Sequence, residues 1–148
     1  MSRPIVLLTN SIDPVGAEEL LRSVEVRLAS ATDAATLRRE VQQADGLMVR
    51  TQLPDDIFEH APRLRAVVRH GAGIDMIPID AATARGIPVA NCPGTNAISV
   101  SQYAVAQMLA FARKLPWITQ RLRQGDWDGA RAMADSCTEL AGQTLGIV

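Results

Sequence analysis

Five short apolar runs, each separated from the next by a helix-forming segment, constrain this chain more than any other feature of it. Residues 4–9 (PIVLLT), 24–28 (VEVRL), 46–49 (GLMV), 64–69 (LRAVVR) and 87–90 (IPVA) are all of strand length. Continuous apolar runs suit parallel strands covered on both faces, whereas 24–28 alternates as a more exposed strand does. Between them, residues 17–24 read as a short helix with Leu20 and Leu21 inward. Asp33 caps a helix to about residue 43, with Leu37 and Val41 on one face. Pro54 opens a helix to His60, and Asp80 to Arg85 forms a helix that stops at Gly86. Strands alternating with helices across short connections predict an α/β fold. Its expected form is a parallel five-stranded sheet of flavodoxin-like order, with helices on both faces.

The pattern changes near residues 93–96, where a domain boundary is expected. Residues 1–95 complete the α/β domain. Residues 96–148 begin a second domain with a helix of about 16 residues, roughly 25 Å long at 1.5 Å per residue. That helix is apolar on most faces, so it expects neighbours on most sides. An amphipathic helix near residues 117–124 follows, then a turn at 125–127, a polar loop, and a strand over 144–148.

Composition narrows the function classes. A hydrophobic share of 47% supports a real core, and a net charge of -1 offers no basic face for nucleic acid. Cys92 and Cys137 lack the nearby second ligand pair that a zinc site needs, and read as free thiols. No signal-peptide pattern opens the chain. Its longest apolar region, residues 97–112, is shorter than the roughly 20 residues of a membrane span. A cytoplasmic protein without membrane partners is expected.

Chemistry is expected at strand ends. Gly71-Ala72-Gly73 follows the fourth strand, where open α/β sheets bind ligands and successive backbone N–H groups can form an anion site; the plainer reading is a tight turn. Asn96 precedes the long helix, as an N-cap or as a ligand contact. Arg50 ends the third strand, where a guanidinium can pair bidentately with a carboxylate or phosphate, or else sit solvated. His60 and His70 have no evident acidic partner, and neither is assigned a proton-transfer role.

Residues 69–113 (RHGAGIDMIPIDAATARGIPVANCPGTNAISVSQYAVAQMLAFAR) closely resemble the D-isomer-specific 2-hydroxyacid dehydrogenases, the family of phosphoglycerate dehydrogenase and hydroxypyruvate reductase. Residues 140–148 (LAGQTLGIV) resemble the lead-in to that family's dinucleotide loop. The resemblance implies an N-terminal portion ending just before the Gly-x-Gly-x-x-Gly loop. Residues 1–95 would be the substrate-binding domain and 96–148 the incomplete start of an NAD-binding Rossmann domain. The implied reaction interconverts a D-2-hydroxy acid and its 2-oxo acid with NAD, NADP not being excluded, in an intact enzyme that is a homodimer.

By the same resemblance, the amides of Gly71, Ala72 and Gly73 take the substrate carboxylate, and Asn96 faces the reacting substrate. Arg50 meets the substrate's distal end. Ala72 and Val100 lie beside the nicotinamide. The family pattern Asn-x-x-Ser-Val-Ala-Glu reads here Asn96-Ala97-Ile98-Ser99-Val100-Ser101-Gln102, so Gln102 removes a charge. The family's catalytic Arg, Glu and His lie beyond these residues, and these 148 residues alone are expected to show no turnover.

Two other readings stay open. One is a freestanding flavodoxin-like binding module. A phospho-receiver would need acids where Asn10-Ser11-Ile12-Asp13 and Arg50-Thr51 stand, and a flavodoxin would need a phosphate loop where residues 10–16 offer only Gly16. The other is a truncated paralogue acting as an interaction partner.

Overall fold

The computed structural model describes residues 3–147. The chain divides into two compact units, Met1–Asn96 and Ala97–Val148.

The first unit is built on five parallel strands, β1 (Ile5–Leu8), β2 (Glu25–Leu28), β3 (Gly46–Val49), β4 (Ala66–Arg69) and β5 (Val89–Ala90). Their order is β2-β1-β3-β4-β5, the flavodoxin-like order expected. The order reverses between β1 and β3, which opens a crevice at the carboxyl ends of those strands.

One face of the sheet carries the core. Leu7, Leu47, Val49 and Val67 are buried there against Leu37, Val41, Leu53, Ile57 and Phe58. Helix α2 (Ala34–Glu40), capped by Asp33 Oδ1 on the Thr36 amide at 3.0 Å, delivers Leu37. The 3₁₀ turn that follows, Val41–Gln43, delivers Val41. Each such side chain contributes about 1.5–3 kcal/mol on burial. On the other face Val6, Met48 and Val68 are only half-buried.

Three expectations for this unit need correction. Helix α1 spans Pro14–Leu21, three residues earlier than expected, because Asp13 Oδ1 accepts from the Val15 amide and Pro14 fits a first turn. No α1 residue is buried, and Leu21 is 50% exposed rather than inward. Pro54 opens no α-helix. Ile57 donates to the Pro54 carbonyl and Glu59 to that of Asp56, bonds of i→i+3 type, so the segment tightens into a 3₁₀ helix at Ile57–His60. Helix α3 (Ile79–Ala84) ends as expected, with Gly86 at φ +66°.

The second unit holds α4 (Ala97–Ala112), α5 (Leu115–Arg123) and α6 (Trp127–Asp135). Lys114, at φ 51°, turns the chain between α4 and α5, and its Nζ donates to Ser136 Oγ at 2.7 Å. Helix α6 replaces the polar loop expected after residue 127. Asp126 nucleates it, its Oδ1 accepting from the Gly129 amide at 2.9 Å. The strand expected over 144–148 is absent from residues 144–147, and Val148 lies outside the described residues. A strand exists only by pairing, and the described residues of this unit contain no other strand. No residue of α4 is buried; Ile98, Tyr103 and Phe111 are all exposed.

Candidate functional site

The carboxyl ends of β1, β3, β4 and β5 form one rim, tied together by bonds between consecutive loops. At the crevice between β1 and β3, buried Thr9 is the tie. Its Oγ1 accepts from the Arg50 amide at 2.9 Å and donates to Asn10 Oδ1 at 2.9 Å. The exposed Arg50 side chain reaches back across the crevice, with Nη1 donating to the Ser11 carbonyl at 2.5 Å.

Arg69, which ends β4, spans to β3. Its Nη1 donates to the carbonyls of Val49 at 3.2 Å and His70 at 2.6 Å, and its buried Nε has no partner. Six arginines (Arg22, Arg27, Arg38, Arg39, Arg63 and Arg121) pair with a carboxylate, while Arg50 and Arg69, like Arg65, Arg85, Arg113, Arg123 and Arg131, pair with none among the described residues. Among the described residues, neither guanidinium at this rim has a carboxylate partner. Positive charge left uncompensated beside free backbone donors favours an anion.

The Gly71-Ala72-Gly73 loop leaves β4 at this point. The Gly71 amide donates to the Arg69 carbonyl at 2.9 Å, so it is spent on its own main chain. Of the three amides expected to bind an anion, this one has a main-chain acceptor. The amides of Ala72 and Gly73 donate to no other described residue. On its other side the loop is anchored to the segment after β5. The Gly71 carbonyl accepts from the Cys92 amide at 3.0 Å, and the Ala72 carbonyl from Asn91 Nδ2 at 2.7 Å. Gly73 is exposed, and a Cβ there would stand 2.8 Å from Asp75 Oδ1.

Asn96 is exposed and closes the turn at 93–96, in which Thr95 Oγ1 donates to the Cys92 carbonyl at 3.0 Å. Val100, in the first turns of α4, is 55% exposed. His70 is exposed, with its amide bonded to the Val49 carbonyl at 3.0 Å. His60 does have an acidic partner, Asp56 Oδ2 at 3.4 Å, also bonded by Arg38. The i, i+4 spacing of Asp56 and His60 carried that signal. Asn91 was also missed. A polar side chain one residue past β5, at a strand's carboxyl end, was the available clue.

Other features compete poorly with this rim. A cleft along β2, about 600 Å³, is lined by Leu7, Arg27, Arg39 and Glu40. Its charges already satisfy one another: Arg27 bonds Glu25, and Glu40 bonds Ser30 and Arg39. Among the described residues no three His, Cys, Asp or Glu side chains gather as metal ligands. No described helix is long and apolar enough to cross a membrane.

Comparison with known proteins gives the family. The signature of the D-isomer specific 2-hydroxyacid dehydrogenase catalytic domain matches residues 6–145. D-3-phosphoglycerate dehydrogenase of Mycobacterium tuberculosis is 37% identical over 150 residues, covering 100% of this chain and 28% of that protein. The enzyme of the same name from Methanocaldococcus jannaschii is 35% identical over 145 residues, covering 97% of this chain and 27% of its own length. Among solved structures, the NADPH-dependent glyoxylate/hydroxypyruvate reductase of Sinorhizobium meliloti, in complex with NADP and malonate, superposes with a TM-score of 0.80. It is 32% identical over 97% of this chain and 45% of that one. The chain thus spans under half the length of these relatives.

Proposed function

Because this chain belongs to the D-isomer specific 2-hydroxyacid dehydrogenases, we propose that Met1–Asn96 is the substrate-binding part of a nicotinamide-dependent oxidoreductase. That enzyme interconverts a D-2-hydroxy acid and its 2-oxo acid, of phosphoglycerate or hydroxypyruvate/glyoxylate type. The observation that carries the reading is the pair of successive amides, Ala72 and Gly73, that lack an internal acceptor at the carboxyl end of β4. Two N–H groups in sequence fit the two oxygens of a carboxylate. Hydrogen bonds to a charged acceptor contribute roughly 1.5–3 kcal/mol each.

In this reading each residue has a distinct task. Ala72 and Gly73 hold the substrate carboxylate, and Gly71 gives the loop its shape. Arg50 meets the distal end of the substrate, and Asn96 faces the carbon that reacts. Ala72 and Val100 form walls beside the nicotinamide, and Ala97–Val148 begins the NAD-binding domain. The phosphoglycerate dehydrogenases among the relatives support a phosphorylated substrate, and the NADPH-dependent Sinorhizobium enzyme supports NADP as the alternative to NAD. The reading extends to a homodimer for the intact enzyme, working in the cytoplasm.

These residues do not make a pyrophosphate cradle. No Gly-x-Gly-x-x-Gly run occurs in residues 1–148, so the donors that would grip a dinucleotide are not among them. These 148 residues should therefore leave NADH and NADPH unoxidised above the blank rate with hydroxypyruvate or glyoxylate. Binding is the direct test. Calorimetric titration should give D-3-phosphoglycerate a lower Kd than D-glycerate, with acetamide, which has no carboxylate, silent. Equal heats from all three would remove the reading.

A further inference from the structure

We infer that Asn91 is the positioning residue of this site, the side chain that aims the Gly73 amide at the substrate; the inference rests on reading Ala72 and Gly73 as the carboxylate donors. A trans peptide unit is planar, so its N–H points opposite to its C=O. The described residues contain no cis bond. The Gly71 carbonyl is held by the Cys92 amide at 3.0 Å, which turns the Ala72 N–H away from residues 91–92. The Ala72 carbonyl is held by Asn91 Nδ2 at 2.7 Å, which turns the Gly73 N–H away as well. Two anchors on one side of the loop thus aim two donors out of the other.

The anchors are not equivalent. The first is main chain, available with any residue but proline at position 92. The second exists only where residue 91 carries a side-chain donor of this length. The β4–β5 ladder ends at the pair Val68–Ala90, one residue before Asn91. Beyond that pair, no sheet bond remains to hold the Ala72 carbonyl. Glycine at 73 leaves the Ala72–Gly73 peptide free to rotate once it is released. A rotated unit would present the Ala72 oxygen to the incoming carboxylate, replacing attraction with repulsion. Because the Ala72 oxygen can only accept, the Asn91 atom facing it must be the amide nitrogen.

The test uses the whole 148-residue chain, ¹⁵N-labelled, as wild type, Asn91→Leu and Asn91→Asp, with D-glycerate as the probe. Both variants keep the side chain's approximate shape and remove the donor; the leucine adds no charge, so repulsion of glycerate cannot explain its effect. Expected for Asn91→Leu are unchanged amide positions for Leu37, Leu47 and Val67 and an order parameter at Gly73 falling from about 0.85 to below 0.6. Affinity for glycerate should drop about tenfold. Asn91→Asp should match or exceed that loss. An Asn91→Leu variant with Gly73 as ordered as in wild type and glycerate bound equally well would overturn the inference. If glycerate leaves the wild-type Ala72 and Gly73 signals unmoved while Asn91→Leu still disorders Gly73, Asn91 orients the loop and the carboxylate reading is what fails.

Discussion

The guanidinium of Arg69 occupies the space that a side chain on Gly71 would need. A Cβ at Gly71 would stand 2.9 Å from Arg69 Nη1 and 3.1 Å from its Cζ. The backbone there has φ +153°, a conformation L side chains rarely adopt. Arg69 can move only by releasing the Val49 and His70 carbonyls, which it joins across the ends of β3 and β4.

Gly71→Ala should therefore cost about 1–3 kcal/mol, from backbone strain and the displaced guanidinium together. It should also abolish the response to D-glycerate. Gly73→Ala is the comparison, because a Cβ there meets only the end of the Asp75 side chain. Its cost should stay below about 1 kcal/mol. Urea unfolding of both variants checks the order.

Arg50 separates stability from recognition. Its side chain is exposed and bonded only to the Ser11 carbonyl, so Arg50→Ala should change unfolding free energy by about 1 kcal/mol or less. Affinity for D-3-phosphoglycerate should fall about tenfold or more, while that for D-glycerate should stay within about twofold. Arg50→Lys should recover only part of the loss, since a lysine cannot bond bidentately. Calorimetry of the two ligands on each variant reads this directly.

Acid should unfold the first unit progressively from about pH 4 downward. Asp45 is held below the usual carboxylate range by the Ile5 amide, with Arg63 adding to it. Hydrogen bonds from Thr36 lower Asp33, bonds from Ser30 lower Glu40, and Arg38 lowers Asp56. A carboxyl whose folded pKa is depressed contributes stability above its unfolded pKa and loses it as pH falls through the folded value. The expected curve is flat above about pH 5 and declines below it. Asp45→Asn should flatten that decline. Thermal midpoints from pH 7 to pH 3 measure it.

Phe58 is the largest of the fully buried side chains and is 1% exposed. Phe58→Ala should cost about 3–5 kcal/mol, a large share of the stability of a domain this size. Because the 3₁₀ helix that carries it packs beside α2, the loss should appear first as faster amide exchange at Leu37 and Val41. Hydrogen exchange on the variant tests that order.

Most of the first unit was legible because its central strands β1, β3 and β4 are parallel strands that read as apolar runs, while β2 showed itself by alternation. Leu37 and Val41 could be read from helical spacing and Gly86 from its place after a helix. The start of α1 was missed because Pro14 and Gly16 look like loop residues; the Asp13 cap and a proline tolerated in the first turn outweigh them. Gly129 obscured α6 in the same way, although Asp126 marked its start. The supposed strand at 144–148 failed for a different reason. Strand formation depends on a partner, and nothing local reports one.

Arg50 and the glycine loop were legible as candidates because both follow strands. That Gly71 spends its amide on Arg69 was not, since a three-residue turn closed by one such bond has no distinct signature. Asn91 lay furthest out of reach. Its role depends on β5 stopping at Ala90 and on the direction of a carbonyl 19 positions away.

A crystal structure of the chain with D-glycerate would show whether Ala72 and Gly73 hold a carboxylate by their main-chain amides. Carboxylate oxygens should lie within about 2.7–3.2 Å of both nitrogens. The Asn91–Ala72 bond should be intact and the Gly71 amide still turned to Arg69. Glycerate bound elsewhere, or either amide bonded instead to a protein acceptor, would contradict it.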